Sequence, residues 1–142
     1  MDLGIAGRKA IVCASSKGLG RACALALAEA GCEVVMNGRN PEQLALSAQD
    51  LRKATGASVR EVAGDLDEPA TRAALIAACR DADILVNNNS GPPFKPFEAI
   101  TREDILKGAP ASRSAWRTQF RSVSPVQPIF AAIDAIAAHC DA

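Results

Sequence analysis

Hydrophobic and polar positions in the N-terminal part of the chain alternate between short apolar runs and longer amphipathic stretches. Short runs that are apolar throughout are typical of strands covered on both faces, whereas apolar residues three and four positions apart are typical of helices. Their alternation predicts an α/β fold in which helices connect the strands of a parallel sheet. We expect four strands, at residues 9–13, 33–36, 58–62 and 84–87.

Three helices are expected between these strands, and residues at their ends support the boundaries. Gly31 accepts the left-handed conformation that often closes a helix. Asn40 is suited to cap a helix whose first residue is Pro41. The predicted helices run over about residues 18–30, 41–55 and 69–80.

The pattern weakens beyond Pro96. Residues 98–107 fit one or two helical turns, and residues 108–114 are rich in small residues and predict a loop. Because two prolines interrupt the apolar positions that follow, a last helix is expected only over about residues 129–140.

Composition narrows the class of protein. The 142 residues fit one domain, and the 16 basic and 16 acidic side chains cancel, so nothing favours a nucleic acid or an anionic membrane surface as partner. No apolar run approaches the ~18 residues of a membrane span. The five cysteines are scattered, without a Cys-x-x-Cys pair, and His139 is the only histidine. We therefore expect a cytoplasmic, metal-free protein with reduced thiols.

The turn between the first strand and the first helix has the sequence CASSKGLG, residues 13–20. A helix N-terminus presents unpaired amides and the positive end of the helix dipole, so a diphosphate can bind there if no side chain blocks it. The small residues, with Gly18 and Gly20, leave that approach open. A glycine pair before a helix is also common in an ordinary tight turn, but its place after the first strand favours a nucleotide site.

The end of the second strand discriminates between two cofactors. An acidic residue there would accept hydrogen bonds from an adenosine ribose, whereas a basic residue accommodates a 2′-phosphate. The segment reads MNGRN, residues 36–40, and contains no carboxylate. Arg39 follows the strand and Lys17 stands in the turn, so we predict NADP rather than NAD. The alternative is that both cations are ordinary solvated charges.

Three motifs in this order resemble the short-chain dehydrogenase/reductase family, in particular its members similar to 3-oxoacyl-carrier-protein reductase. Residues 13–20 are similar to the family's Thr-Gly-x-x-x-Gly-x-Gly turn. Residues 64–66 (GDL) match an acidic element after the third strand, and residues 87–91 (NNNSG) look like a variant of Asn-Asn-Ala-Gly after the fourth. The resemblance covers about residues 5–93, and residues 94–142 diverge from it.

By this resemblance, the turn lies beside the phosphates and a ribose, Arg39 beside the 2′-phosphate, the acidic element beside adenine, and three asparagines beside the nicotinamide ribose. Two alternatives remain: Asp65 caps its own loop, and the asparagines satisfy buried backbone groups. The implied cofactor-binding residues are Ser15, Ser16, Lys17, Gly18, Leu19, Gly20, Arg39, Asp65, Leu66, Asn87, Asn88 and Asn89.

The departures from the family pattern also carry information. Ala14 stands where the family has its first glycine and Cys13 where it has threonine, so this turn must accept a Cβ. Asn89 and Ser90 replace a smaller Ala-Gly pair. Both changes affect how closely the cofactor can approach the chain.

In the family, the catalytic serine lies on the strand after the last helix expected here, and the Tyr-x-x-x-Lys lies on the next helix. This sequence contains no tyrosine. The family's preceding asparagine has no counterpart among residues 120–124. A general acid must lie within hydrogen-bond reach of the reacting oxygen, and we nominate no catalytic residue.

The resemblance implies a Rossmann-type doubly wound parallel sheet in the order 3-2-1-4, truncated after the fourth strand and the helix that follows, with NADP(H) across the strand ends. It also implies hydride transfer to or from a small carbonyl or alcohol compound. Three hypotheses follow: a partial enzyme, a noncatalytic NADP-binding regulatory module, and an interaction subunit. The third would pair with a like or different chain through an exposed sheet edge and the C-terminal helix.

Overall fold

The computed structural model describes residues 3–88 and 96–104, and for Phe97 the backbone only. The predicted loop at residues 108–114 and helix at residues 129–140 lie outside this part of the chain. The elements are β1 (Lys9–Val12), α1 (Gly18–Glu29), β2 (Glu33–Gly38), α2 (Pro41–Thr55), β3 (Val59–Ala63), α3 (Pro69–Ala78) and β4 (Ile84–Val86), followed by a 3₁₀ turn at Phe97–Ala99.

The four strands form one parallel sheet in the order β3-β2-β1-β4, as predicted. Ala10 of β1 pairs with Val34 of β2 on one side and with Ile84 of β4 on the other. Each helix connects one strand to the next, which parallel strands require. The carboxyl ends of all four strands consequently meet at one edge of the sheet.

Both faces of the two central strands, β1 and β2, are buried, which explains why these strands read as nearly continuous apolar runs. Val12 and Met36 lie in a core that includes residues of α1 and α2. Ile11 and Val35, their chain neighbours, lie in a second core with Leu75 of α3. Successive side chains of a strand point to opposite faces, so this alternation separates the two cores.

The residues at the ends of α2 and α3 explain where these helices begin and end. The Asn40 side chain accepts a hydrogen bond from the Gln43 amide at 2.9 Å, as expected for the α2 cap. At the other end of α2, Gly56 is left-handed with φ of 69°. The structure differs from the prediction at α3, which ends at Ala78 because the backbone of Cys79, with φ of −150° and ψ of 81°, is no longer helical.

The amino ends of β1 and β4 are joined by charged side chains. Arg8 pairs with Asp83 at 2.8 Å, and Lys9 pairs with Asp81 at 2.5 Å. The Lys9 amide also donates to the second Asp83 oxygen at 2.9 Å. These contacts fix β4 beside β1 at the edge of the sheet opposite the turn that follows β1.

Within residues 3–88 and 96–104, no helix has the length and apolar character needed to cross a membrane. The four cysteines of this part of the chain are free thiols, of which Cys23 alone is exposed.

Candidate functional site

A cleft of about 440 Å³ opens at the carboxyl edge of the sheet. Its walls come from the segments that follow three adjacent strands, β1, β2 and β3. This is the usual location of ligands in open α/β sheets. The lining residues are Ala14, Ser16, Lys17, Asn37, Gly38, Arg39, Asn40, Gln43, Gly64, Asp65 and Leu66.

The turn after β1 is fastened to the end of β2. Ser15 is fully buried, and its amide donates to the Asn37 carbonyl oxygen at 2.7 Å. Its hydroxyl donates to the Val12 carbonyl at 2.8 Å and accepts from the Asn37 amide at 3.0 Å. The Ser15 hydroxyl is therefore used inside the protein, beneath the cleft, while Ser16 borders the cleft itself.

The Asn37 side chain extends this connection to β3. Its amide nitrogen donates to the carbonyls of Val62 and Gly64, at 3.0 and 3.1 Å, and its oxygen accepts from the Ala14 amide at 3.3 Å. Asn37 is 1% exposed, so these bonds satisfy a polar group that would otherwise be costly to bury. One side chain thus sets the relative positions of three strand ends.

Ala14 has a left-handed backbone, with φ of 45°. The turn does accept a Cβ here, in a region that costs an L-residue about 1–2 kcal/mol. The Ala14 carbonyl faces α1, where a Cβ on Gly20 would collide with it. The same carbonyl accepts from the Asn88 side chain at 3.4 Å. Gly20 is therefore required for the close passage of α1 behind the turn.

The first two residues of α1, Gly18 and Leu19, are open to solvent. Lys17 takes the cap position with an extended backbone, and no side-chain hydrogen bond caps the helix. A Cβ on Gly18 would meet nothing within 4 Å, and Leu19 is 82% exposed. A 12-residue helix with an uncapped N-terminus favours anions at this end.

Two cations border the cleft from different segments: Lys17 from the turn after β1, and Arg39 from the end of β2. Both are exposed, and within residues 3–88 and 96–104 neither forms an ion pair. The only carboxylate in the lining is that of Asp65. The cleft therefore has a positive balance although the whole chain is neutral.

Asp65 has a structural role beside its place in the cleft. One of its carboxylate oxygens accepts from the Asp67 amide at 3.0 Å. Asp65 therefore caps its own loop, which was one of its two predicted roles. Its other carboxylate oxygen takes no part in this bond.

The cleft brings together five of the residues predicted from the sequence: Ser16, Lys17, Arg39, Asp65 and Leu66. Gly18, Leu19 and Gly20 begin α1 outside its lining, and Ser15 lies beneath it. Asn87 is exposed and Asn88 half-buried after β4, while Asn89 lies outside the described residues.

Sequence reasoning missed Asn37, Asn40 and Gln43 as residues of the cleft. One signal was present for Asn37, since a polar residue near the end of an otherwise apolar strand must find partners inside the protein.

Cys13 is the first residue of the turn, and its thiol is unreactive. Burial raises its pKa to about 12, so it stays protonated at neutral pH. A thiol rather than a thiolate is a weak nucleophile, and Cys13 contributes packing.

The family model described as short chain dehydrogenase matches residues 8–109. L-xylulose reductase of Cavia porcellus is 39% identical over 133 residues, which cover 92% of this chain and 49% of that protein. The NADPH-dependent reductase BacG of Bacillus subtilis (strain 168) is 35% identical over 103 residues, 69% of this chain and 40% of that protein. The chain thus spans half or less of the length of these curated relatives.

Solved structures agree with the sequence matches. L-sorbose reductase from Gluconobacter frateurii, complexed with NADPH and L-sorbose, superposes with a TM-score of 0.69 at 31% identity, over 82% of this chain and 48% of that one. A 3-oxoacyl (acyl-carrier-protein) reductase from Agrobacterium tumefaciens C58 with NADP bound gives 0.68 at 34% identity, over 85% and 48%.

Proposed function

The chain belongs to the short-chain dehydrogenase family, and on that premise we propose that it forms the NADP(H)-binding part of an oxidoreductase acting on a small carbonyl or alcohol compound. The observation that carries the proposal is the convergence of Lys17 and Arg39 on one cleft at the carboxyl edge of the sheet. No carboxylate stands at the end of β2 to oppose them.

The donors in the cleft fit a nucleotide with a 2′-phosphate. A phosphate dianion needs cations or amide donors, and Lys17 and Arg39 approach it from adjacent strand ends. The open N-terminus of α1 suits the diphosphate. When bound, the nicotinamide supplies or accepts the hydride, and this chain's residues bind and orient it.

The loop after β3 suits the adenine ring. It lies one strand further from β1 than Arg39 does, on the outer side of a ribose whose phosphate Arg39 would hold. Leu66 offers an apolar surface, and Asp65 offers a carboxylate oxygen to an exocyclic amine. We therefore assign Asp65 and Leu66 to adenine.

Related proteins favour a sugar-sized ketone or alcohol as the substrate. L-xylulose reductase of Mus musculus is 38% identical over 133 residues, and D-erythrulose reductase of Gallus gallus is 36% identical over 136. We assign no proton-transfer residue within this chain, because it has no tyrosine and the one carboxylate of the cleft lining, that of Asp65, accepts a hydrogen bond from a loop amide.

Calorimetric titration of the chain with NADPH and NADH tests the proposal. We expect NADPH to bind at least about tenfold more tightly, equal to about 1.4 kcal/mol. Lys17→Gln should weaken NADPH binding and leave NADH unchanged, whereas Lys53→Gln, near the far end of α2, should change neither. Equal affinity for the two nucleotides would contradict NADP selectivity, and binding of neither would contradict the function.

A further inference from the structure

The loop between β3 and α3, residues 64–68, carries the two residues that we assign to adenine. Three backbone bonds involve it: the Gly64 amide donates to the Gly38 carbonyl, the Glu68 amide to the Asp65 carbonyl, and the Arg72 amide to the Glu68 carbonyl. The carbonyls of Leu66 and Asp67 instead accept hydrogen bonds from a side chain, that of Arg72 on α3.

The Arg72 guanidinium is inserted under this loop. One terminal nitrogen donates to the Leu66 carbonyl at 2.7 Å and to the Asp67 carbonyl at 2.8 Å. Its Nε is buried and has no hydrogen-bond partner in the described part of the chain. Hydrogen bonds from a charged donor are stronger than neutral ones, so the two carbonyls are held firmly.

A second contact shows how closely α3 packs against the loop. Gly64 has φ of 147°, and a Cβ there would collide with the Thr71 side chain. Thr71 and Arg72 are neighbours in the first turns of α3, and both act on the same loop. The conformation of the loop therefore depends on its contacts with α3, the helix that follows it.

Arg72 is absent from the cleft lining, whereas Asp65 and Leu66 belong to it. Without the guanidinium, two carbonyls would lose their donors and the loop would need another conformation to satisfy them. Any such change would move the carboxylate of Asp65 and the surface of Leu66 together. Recognition of a base edge depends on donors and acceptors held to within about half an ångström.

We propose that Arg72 is a positioning residue whose contacts with the Leu66 and Asp67 carbonyls set the selectivity of the cleft for adenine, an inference that rests on the proposed function. Adenine presents an amino donor at the edge where hypoxanthine presents a carbonyl acceptor. A correctly placed carboxylate oxygen accepts a hydrogen bond from the amino group of adenine and repels the carbonyl oxygen of hypoxanthine. Loss of Arg72 would therefore lower the discrimination between the two bases.

The test measures the dissociation constants of NADPH, of its hypoxanthine counterpart and of NADH. It uses the full chain and the variants Arg72→Met, Arg72→Lys and Arg52→Met. Arg52 is a matched control, because its guanidinium also donates to a backbone carbonyl, that of Val59, away from the cleft. Amide hydrogen exchange at Asp67 and Glu68 gives a readout that needs no nucleotide.

The unaltered chain should prefer NADPH to the hypoxanthine nucleotide by about tenfold, since rejection arises from a mismatched polar edge. Arg72→Met should reduce that preference severalfold and speed exchange at Asp67 and Glu68. It should leave the ratio of NADPH to NADH affinity unchanged, because Lys17 and Arg39 are intact. Arg72→Lys should restore part of the preference, and Arg52→Met should behave as the unaltered chain.

An unchanged adenine preference in Arg72→Met, with NADPH still bound, would overturn the inference and leave the proposed function standing. If the unaltered chain binds none of the three nucleotides, the proposed function is wrong. In that case unchanged exchange at Asp67 and Glu68 would separately overturn the role of Arg72 in holding the loop. If Arg72→Met does not fold, the same ratios and exchange rates in Arg72→Lys decide the matter.

Discussion

Ser15 and Asn37 are joined by two hydrogen bonds: the Ser15 amide donates to the Asn37 carbonyl at 2.7 Å, and the Asn37 amide donates to the Ser15 hydroxyl at 3.0 Å. The Ser15 hydroxyl, whose one proton is donated to the Val12 carbonyl, also lies 3.2 Å from the Asn37 carbonyl. The pairing of β1 with β2 ends at Val12 and Met36. The Ser15–Asn37 contact therefore continues the connection between the two strands into the turn that borders the cleft.

Ser15→Ala should lower the free energy of unfolding by about 1–3 kcal/mol, because the buried Asn37 amide loses the hydroxyl that accepts from it. Urea unfolding followed by circular dichroism measures the change. Ser58→Ala, at an exposed position before β3, is the control and should change stability by less than about 0.5 kcal/mol. Equal effects at the two serines would show that the buried hydroxyl contributes nothing.

Asn37→Asp should be more damaging than its small change in shape suggests. The substitution removes the nitrogen that donates to Val62 and Gly64 and directs a carboxylate oxygen at their carbonyls instead. We expect a loss of about 2–4 kcal/mol at neutral pH, from unpaired carbonyls and a buried charge. Asn87→Asp, at an exposed position after β4, should be nearly neutral in the same urea experiment.

Ala14→Gly should stabilise the chain by roughly 0.5–1 kcal/mol. Glycine adopts φ of 45° without strain, which stabilises the folded chain. Part of this gain is lost because glycine also makes the unfolded chain more flexible. The same substitution at Ala22, on the exposed side of α1, should destabilise by about 1 kcal/mol because its backbone is helical. Thermal melts of the two variants must therefore shift in opposite directions, and a decrease at both positions would contradict strain at Ala14.

Acid should weaken the contact between β1 and β4. The Lys9 amide, and then the Arg8 guanidinium, lower the pKa of Asp83, while the Lys9 ammonium lowers the pKa of Asp81. Because the folded pKa lies below the unfolded one, this stability is present above the unfolded pKa, near 4, and is lost as pH falls through the folded value. The raised pKa of Lys9 has the opposite sign, and its contribution is lost only in strong alkali.

Asp83→Asn tests that dependence, since an amide does not titrate. Urea midpoints of the variant should fall less steeply between pH 5 and pH 2 than those of the unaltered chain, an interval of about three units around the carboxyl pKa. Glu29→Gln, at the exposed end of α1, serves as the control. Parallel pH profiles for the unaltered chain and Asp83→Asn would exclude the proposed contribution.

The sequence predicted the strands and the α2 cap at Asn40, because these depend on periodicity and on residues close together in the chain. The order of the strands in the sheet was implied by the family resemblance, and the structure has that order. Lys17 and Arg39, which we predicted to hold one phosphate, both border the cleft, since both follow strands that end at the same edge. Their contact with NADP stays a prediction.

The roles of Ser15 and Asn37 could not be predicted in the same way. A serine in a glycine-rich turn suits a ligand as well as a buried backbone group, and only the fold shows that its partner lies 22 residues away. Arg72 resembled an ordinary exposed helix charge in the sequence. Its two acceptors are carbonyls, which every residue carries, so no pattern of side chains indicated them.

Arg39→Asp should reverse the cofactor preference. The substitution replaces a cation at the cleft with a carboxylate, which repels a 2′-phosphate and accepts hydrogen bonds from the free ribose hydroxyls of NADH. NADPH affinity should fall by about a hundredfold or more, since a like charge now faces the phosphate. Thermal melts at saturating NADPH and NADH measure the change, because a ligand that binds only the folded form raises its stability.

Two controls separate charge at this position from general damage to the cleft. Arg39→Gln should weaken NADPH binding without improving NADH binding, because an amide neither attracts the phosphate nor accepts as strongly from the ribose. Arg60→Asp, on exposed β3, should leave both nucleotides unaffected because Arg60 does not border the cleft. If Arg39→Asp binds NADPH as tightly as the unaltered chain, Arg39 is a solvated charge and the preference for NADP has another origin.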